Sequence, residues 1–409
     1  MKFIKSVLPG ISRVLSSTSP VIILFVLSKF ARTDEIGLLN YFIALITIVG
    51  VLTDFGLPEA AQKFVAQNTD RVERISFSVY AEIVLVLIGG VLFLLLDWAT
   101  GYRISFGYGW QMALILIFSA SNVFILIFNG LRDDFRTSLY FTISSLIFIG
   151  LTFVLYFLKI TDVINAFLLS RAFAWLLFSI IPLQKLFKDK LIDFSKAKYD
   201  KRFVIFAANV LISIMAYVIM GQWDSILVTN YAGNYENGIY KSVSTLATVP
   251  IVLSVILQTK LLPEFSHLVA QGKMKELVES MFRYIKILSA FCVAIFLLSI
   301  PLAGLALRIV YNQEIADNGL QYFYPILGGV LIYIVTSPIL SALMALGFEN
   351  RYRNAALIQS ISFLVLSVLL INIFGISLLP ILLLLANILF LFLNILNLRF
   401  SLRDLELRR

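Results

Sequence analysis

Of the ionisable residues inside stretches of sequence that are otherwise apolar, five carry the most weight: Arg13, Glu82, Arg171, Asp224 and Lys241. A charge at the centre of a lipid-embedded helix costs about 2.5–3.5 kcal/mol on insertion scales. Each therefore needs a partner, a water-filled path or a ligand. Three are cations and two are carboxylates, and Lys29 and Arg32 follow directly on the first apolar run. Cations gathered in a cleft suit an anion such as a phosphate or diphosphate, which Arg grips in a two-pronged fork and Lys meets as a point charge. An exporter of cationic drugs would instead place carboxylates there. Arg13, Lys29, Arg32, Arg171 and Lys241 are thus expected to contact substrate, and Glu82 to partner a cation such as Arg13. Plainer roles compete: Arg13 and Lys241 lie near enough to span ends to snorkel, and Asp224 is placed at the outer surface.

Two polar stripes accompany these charges. Gly10, Arg13, Ser17, Pro20, Leu24 and Ser28 recur at helical steps in the first apolar run. Asn209, Ser213, Tyr217, Gly221 and Asp224 do so in the seventh. A polar face turns away from lipid, so Ser17, Asn209, Ser213, Tyr217 and Asp224 are expected to line a cavity; helix-to-helix packing through small and polar residues is the alternative. Other chemistries lack their residues. One cysteine, Cys292, makes no intrachain disulfide or cysteine cluster, and one histidine, His267, leaves no histidine metal site or acid–base pair. No metal and no cofactor are expected, while coupling to protons or Na⁺ stays open. The charge of +9 would raise nucleic-acid binding in a soluble protein. Here the basic residues fall in loops, and no nucleic-acid partner is expected.

What must position these residues is a membrane-spanning scaffold. The chain has 409 residues, 60% hydrophobic and only 14% charged, against about 25% charged in soluble domains. Apolar runs of span length cover 7–29, 36–57, 76–97, 110–130, 137–158, 163–187, 203–228, 238–262, 283–306, 321–346, 355–374 and 377–398. Pro20, Pro250, Pro301 and Pro338 are expected to kink their spans. The basic start, Met1-Lys2-Phe3-Ile4-Lys5, resembles a signal n-region, but no small-residue cleavage site follows clearly, and the first span is read as retained. With the N-terminus inside, the inner segments hold 25 of the 33 Lys and Arg and the outer segments five. Basic residues favour the cytoplasmic side, so both termini are expected there. The outer loops are short, the longest running from Asp97 to Gly109.

The halves repeat. Asp34-Glu-Ile-Gly-Leu-Leu39 is echoed by Tyr235-Glu-Asn-Gly-Ile-Tyr240, and Leu57-Pro58-Glu59 by Leu262-Pro263-Glu264. Gly130-Leu-Arg-Asp-Asp-Phe-Arg136 is echoed by Gly347-Phe-Glu-Asn-Arg-Tyr-Arg353. Order and spacing argue for duplication. A six-span unit enters the membrane from the same side in both copies, giving parallel lobes about an axis along the membrane normal. The expected layout is a six-helix lobe over 1–187, a basic cytoplasmic linker over 188–202 and a second lobe over 203–409. The fold class is all-α integral membrane, with about 12 helices in two parallel six-helix lobes around a central cavity.

Leu27-Ser-Lys-Phe-Ala-Arg-Thr-Asp-Glu-Ile-Gly37, followed by Thr53-Asp-Phe-Gly-Leu-Pro58, resembles the start of the polysaccharide transporters, which include the O-antigen flippases of the multidrug/oligosaccharidyl-lipid/polysaccharide exporter superfamily. Gly238-Ile239-Tyr240, Leu262-Pro263 and Ala345-Leu346-Gly347 extend the resemblance over the whole chain. Lys29 stands where many members carry Arg, and Arg32-Thr33 replace the usual Gly-Pro. The resemblance implies a MATE-like fold with a cationic central cavity and no enzymatic activity. It implies a flippase in the bacterial cytoplasmic (inner) membrane that moves undecaprenyl-diphosphate-linked oligosaccharide, an O-antigen or capsule unit, to the outer leaflet by alternating access. Expected partners are that substrate, membrane lipids and the polysaccharide polymerase and chain-length machinery. The alternatives are a multidrug or small-metabolite exporter of the same fold, or a membrane polysaccharide polymerase or ligase.

Overall fold

A backbone that crosses lipid must satisfy its own hydrogen bonds, and runs of this length do so as helices. In the computed structural model the described residues are 2–66, 71–131 and 133–406, and no strand occurs among them. Side chains are described for all of these except 2–11, 13, 14, 17, 255, 256, 258, 259, 263, 270 and 404–406. The expectations for Arg13 and Ser17 therefore lie outside the described side chains.

Contacts divide the chain into two units, Met1–Met215 and Ala216–Arg409. The first contains α1 (Lys2–Leu27), α2 (Thr33–Asp54), α3 (Leu57–Ala66), α4 (Arg71–Ala99), α5 (Gly109–Phe118), α6 (Ser121–Gly130), α7 (Asp134–Phe157), α8 (Val163–Lys188) and the beginning of α9 (Lys201–Thr248). The second contains the rest of α9, then α10 (Val252–Ala270), α11 (Met274–Val310), α12 (Gln313–Ala345), α13 (Glu349–Phe374) and α14 (Leu378–Glu406). The division falls inside α9, later than the start at 203 expected for the second half. The basic stretch 188–202 packs on the first unit: the Asp193 amide donates to Ser76 Oγ at 2.8 Å, and Lys198 lies 3.4 Å from Glu73.

Among the described residues, ten helical segments are long and apolar enough to cross a membrane. Adding α1 and dividing α9 at Gly233 brings the number to twelve. Gly233 has φ 87° and ψ 176°, a region open essentially only to glycine, and there the chain turns back on itself. The residues on either side meet: Asp224 reaches Lys241, and Ser225 reaches Asn237. Short polar caps set other helix starts. Asp162 accepts from the amides of Ile164 and Asn165 at 3.0 and 2.9 Å, and Asn312 from that of Ile315 at 2.8 Å.

Residues 110–130 remain one span, with a single turn at Ser119 and Ala120 between α5 and α6. One expected span is remodelled. Residues 238–262 are interrupted after Thr248 by a 3₁₀ turn, Val249–Ile251, which carries Pro250; the ring lacks an amide donor and favours a helix start. Pro301 and Pro338 lie within continuous helices.

Each unit has its own apolar core. In the first unit, Leu57 and Phe64 of α3, Ile75 and Val79 of α4, and Val123 and Phe128 of α6 share one apolar core, closed by Phe203 and Ala207 of α9. In the second, Leu261 and Phe265 of α10, Leu277 and Met281 of α11, and Ile339 and Leu343 of α12 form the core.

The elbow between α2 and α3 uses two left-handed residues, Phe55 (φ 49°) and Gly56 (φ 71°). A Cβ on Gly56 would collide with the Ala207 carbonyl oxygen and touch the Leu211 amide nitrogen at 3.0 Å. Gly56→Ala adds about 1–2 kcal/mol of left-handed strain to that backbone collision. The expected result is a lower melting temperature of the purified protein in detergent and reduced membrane yield. A wild-type melt would show that the elbow accommodates a side chain.

Candidate functional site

The first unit contains a partly open cavity of about 210 Å³. Ser16 of α1, Thr47 and Asp54 of α2, Ser144 and Ser145 of α7, and Arg171 and Trp175 of α8 line it, together with Ser119, Ser121 and Asn122 at the α5–α6 turn. This turn explains much of the polarity. Serines compete for backbone hydrogen bonds, and at the four small or polar residues Ser119-Ala-Ser-Asn122 the helix tightens locally. Ser119 and Ala120 keep right-handed helical dihedrals, and the amides of Ser119 and Asn122 donate three residues back, to the Leu116 and Ser119 carbonyls. The turn places Ser119 Oγ and Asn122 Nδ2 on Asp54, at 2.9 and 3.4 Å.

Among the described residues, Arg171 is the cation that lines the cavity. Its guanidinium carbon lies 4.3 Å from the Trp175 ring centroid and 5.0 Å from that of Phe148. Trp175 is one turn along α8, so i to i+4 spacing sets one wall; Phe148 comes from α7. Aromatic faces stabilise a cation without neutralising it. No carboxylate among the described residues forms an ion pair with Arg171. The side chain is partly buried and its charge faces a cavity lined with hydroxyl and amide groups.

The other expected site residues have different surroundings. Lys29 and Arg32 are exposed between α1 and α2, and both prongs of the Arg32 fork are on Asp34, at 3.0 and 2.8 Å. Lys241 is not an open cation. It pairs with Asp224 at 2.6 Å, the two side chains being 9% and 3% exposed, and also donates to the Gly221 carbonyl at 2.9 Å. Asp224 is accordingly buried rather than at a surface, because the reversal at Gly233 folds the second limb of α9 over it. On α9, Ser213 donates to the Asn209 carbonyl at 3.1 Å, and Tyr217 is 65% exposed. Glu82 is fully buried, and among the described residues no donor reaches either oxygen. Its charged neighbours there are Asp54 and Glu59; the expected pairing with Arg13 lies outside the described side chains. Arg171 therefore occupies the cavity in the first unit, while Lys241 belongs to an ion pair in the second. Asp54 was missed because it closes an apolar run next to a turn, where a carboxylate reads as an ordinary helix end; its pairing with the α5–α6 turn has no sequence signal.

The polysaccharide biosynthesis protein family profile matches residues 8–269. The chain belongs to this family. No curated protein matches its sequence. Among solved structures, it is similar to the inward-facing conformation of a multidrug resistance MATE family transporter of the MOP superfamily, with a TM-score of 0.76 and 12% identity over 96% of this chain and 95% of that one. It is also similar to the outward-facing conformation of such a transporter, with a TM-score of 0.65, 13% identity and coverage of 98% and 96%. A third similar structure is a MOP superfamily transporter from Pyrococcus furiosus, reported for the reverse polarity of its binding pocket, with a TM-score of 0.62, 12% identity and coverage of 98% and 94%. The family member is thus a multi-pass membrane protein with the MATE-like all-α fold.

Proposed function

We propose that this chain is a flippase for an undecaprenyl-diphosphate-linked oligosaccharide, carrying it from the inner to the outer leaflet of the bacterial cytoplasmic membrane by alternating access. The observation that carries this reading is Arg171, a guanidinium presented to a hydroxyl-lined cavity with no carboxylate ion-paired to it among the described residues. A diphosphate supplies the missing anion, and sugar hydroxyls suit the surrounding serines, threonine and asparagine. Family membership supports a polysaccharide precursor as cargo, and the bias of basic residues supports cytoplasmic termini. Asp54 in the same cavity favours a second reading, export of a small cationic compound.

Gene deletion separates the two. Loss of surface glycan with accumulation of lipid-linked repeat units on the inner leaflet is the expected outcome. Unchanged surface glycan, with greater sensitivity to cationic compounds, would overturn the flippase in favour of the exporter.

A further inference from the structure

The flippase reading leaves one group in the cavity wall without a task. Asp54, the last residue of α2, accepts from Ser119 and Asn122 and faces the cavity. Glu82 of α4 lies against Asp54. It is 0% exposed, and among the described residues neither of its oxygens has a donor. Glu59, in the first turn of α3, is the next carboxylate, and its Oε2 is likewise buried without a donor. Arg171 enters the cavity from α8. Among the described residues, no cation pairs with Asp54 or Glu82, and no three acidic, His or Cys side chains converge as metal ligands.

Ionised carboxylates only accept hydrogen bonds. The contact between Asp54 and Glu82 is therefore repulsive while both are charged and becomes a hydrogen bond once one of them carries a proton, as in other carboxyl pairs. Among the described residues Glu82 has no alternative donor, and Asp54 opens on the cavity through which a proton can arrive.

We propose that Asp54 and Glu82 form a proton-binding pair, and that its occupancy is coupled positively to anion binding beside Arg171. The coupling rests on the flippase reading; the pair itself does not. A proton removes one negative charge from the wall of the cavity that the anion enters. By reciprocity the anion draws the proton in. A cationic ligand in the same cavity would couple with the opposite sign, since the proton would compete with it.

The test uses the full chain in detergent and two isosteric variants, Asp54→Asn and Glu82→Gln. Infrared difference spectra across a pH titration should show a protonated-carboxyl C=O band in the wild type that is missing from either variant. Should one variant not fold, the other carries the comparison. A band unchanged in a folded variant overturns the pair, with or without anion binding. The second measurement is calorimetric binding of UDP-glucose, a diphosphate diester whose two phosphate charges stay constant across the mildly acidic to neutral range. Binding should strengthen roughly tenfold on acidification through that range, with proton uptake seen as a dependence on buffer ionisation enthalpy, and both effects should vanish in the variants. Arg171-dependent binding without proton uptake overturns the coupling and leaves the flippase standing. No binding at any pH overturns both the coupling and the anion site, and the infrared result then decides the pair alone.

Discussion

Arg171→Ala is expected to reduce export of the lipid-linked substrate at least roughly tenfold, because a hydrogen bond to a charged group is worth about 1.5–3 kcal/mol. Surface glycan should fall and inner-leaflet intermediate should build up, with the protein still inserted at wild-type level. Insertion should survive because the substitution removes a costly charge from a partly buried position rather than creating one. Arg171→Lys is the sharper probe. Lys keeps the charge but loses the planar fork and its stacking between Trp175 and Phe148, and it should fall between wild type and Ala. Measuring surface glycan and membrane abundance together checks both variants. Wild-type export by Arg171→Ala would show that the guanidinium only packs against its two aromatic neighbours.

Lys241→Met is expected to destabilise the protein by about 3–5 kcal/mol, the usual cost of leaving one partner of a buried ion pair uncompensated. The stranded charge is that of Asp224, 2% exposed. A second substitution, Asp224→Leu, should recover much of the loss when combined with the first, since replacing both charges by apolar groups removes the desolvation penalty along with the attraction. Thermal melts of the wild type, both single variants and the double variant measure this. Export by the double variant separates the roles: near-normal transport is expected of a structural pair. Loss of transport in a stable double variant would return Lys241 to the list of substrate contacts.

These two residues mark what could be read from the sequence and what could not. Apolar runs, loop charges and the repeated Leu-Pro-Glu segments were enough for a helical, two-unit membrane scaffold, because burial in lipid demands long helices whatever their partners. The same physics conceals partners. Lys241 and Arg171 look alike as cations in apolar runs; only the reversal at Gly233 brings Asp224 to the first, and only the facing of α7 and α8 surrounds the second with rings. Glu82 was visible as a charge, but its charged neighbours among the described residues are carboxylates contributed by α2 and α3, which no spacing along α4 reports. The periodicity of Asn209, Ser213 and Tyr217 is real, yet a polar stripe has the same period whether it packs or lines a cavity. The turn between α5 and α6 sits inside a run apolar enough to count as one span, so the donors it places on Asp54 had no visible reason to be there.

The core of the first unit has a bearing on how the protein is made. Phe203 and Ala207 close a core otherwise built from residues 57–192. They lie beyond the basic stretch that looks like the natural seam between the halves. During synthesis the first half stays incomplete until the opening turns of α9 have left the ribosome and reached that core. Domains generally mature as units in chain order. The basic stretch is thus spanned while the first unit still lacks its last contacts, and the seam for biogenesis lies within α9 rather than in the loop before it.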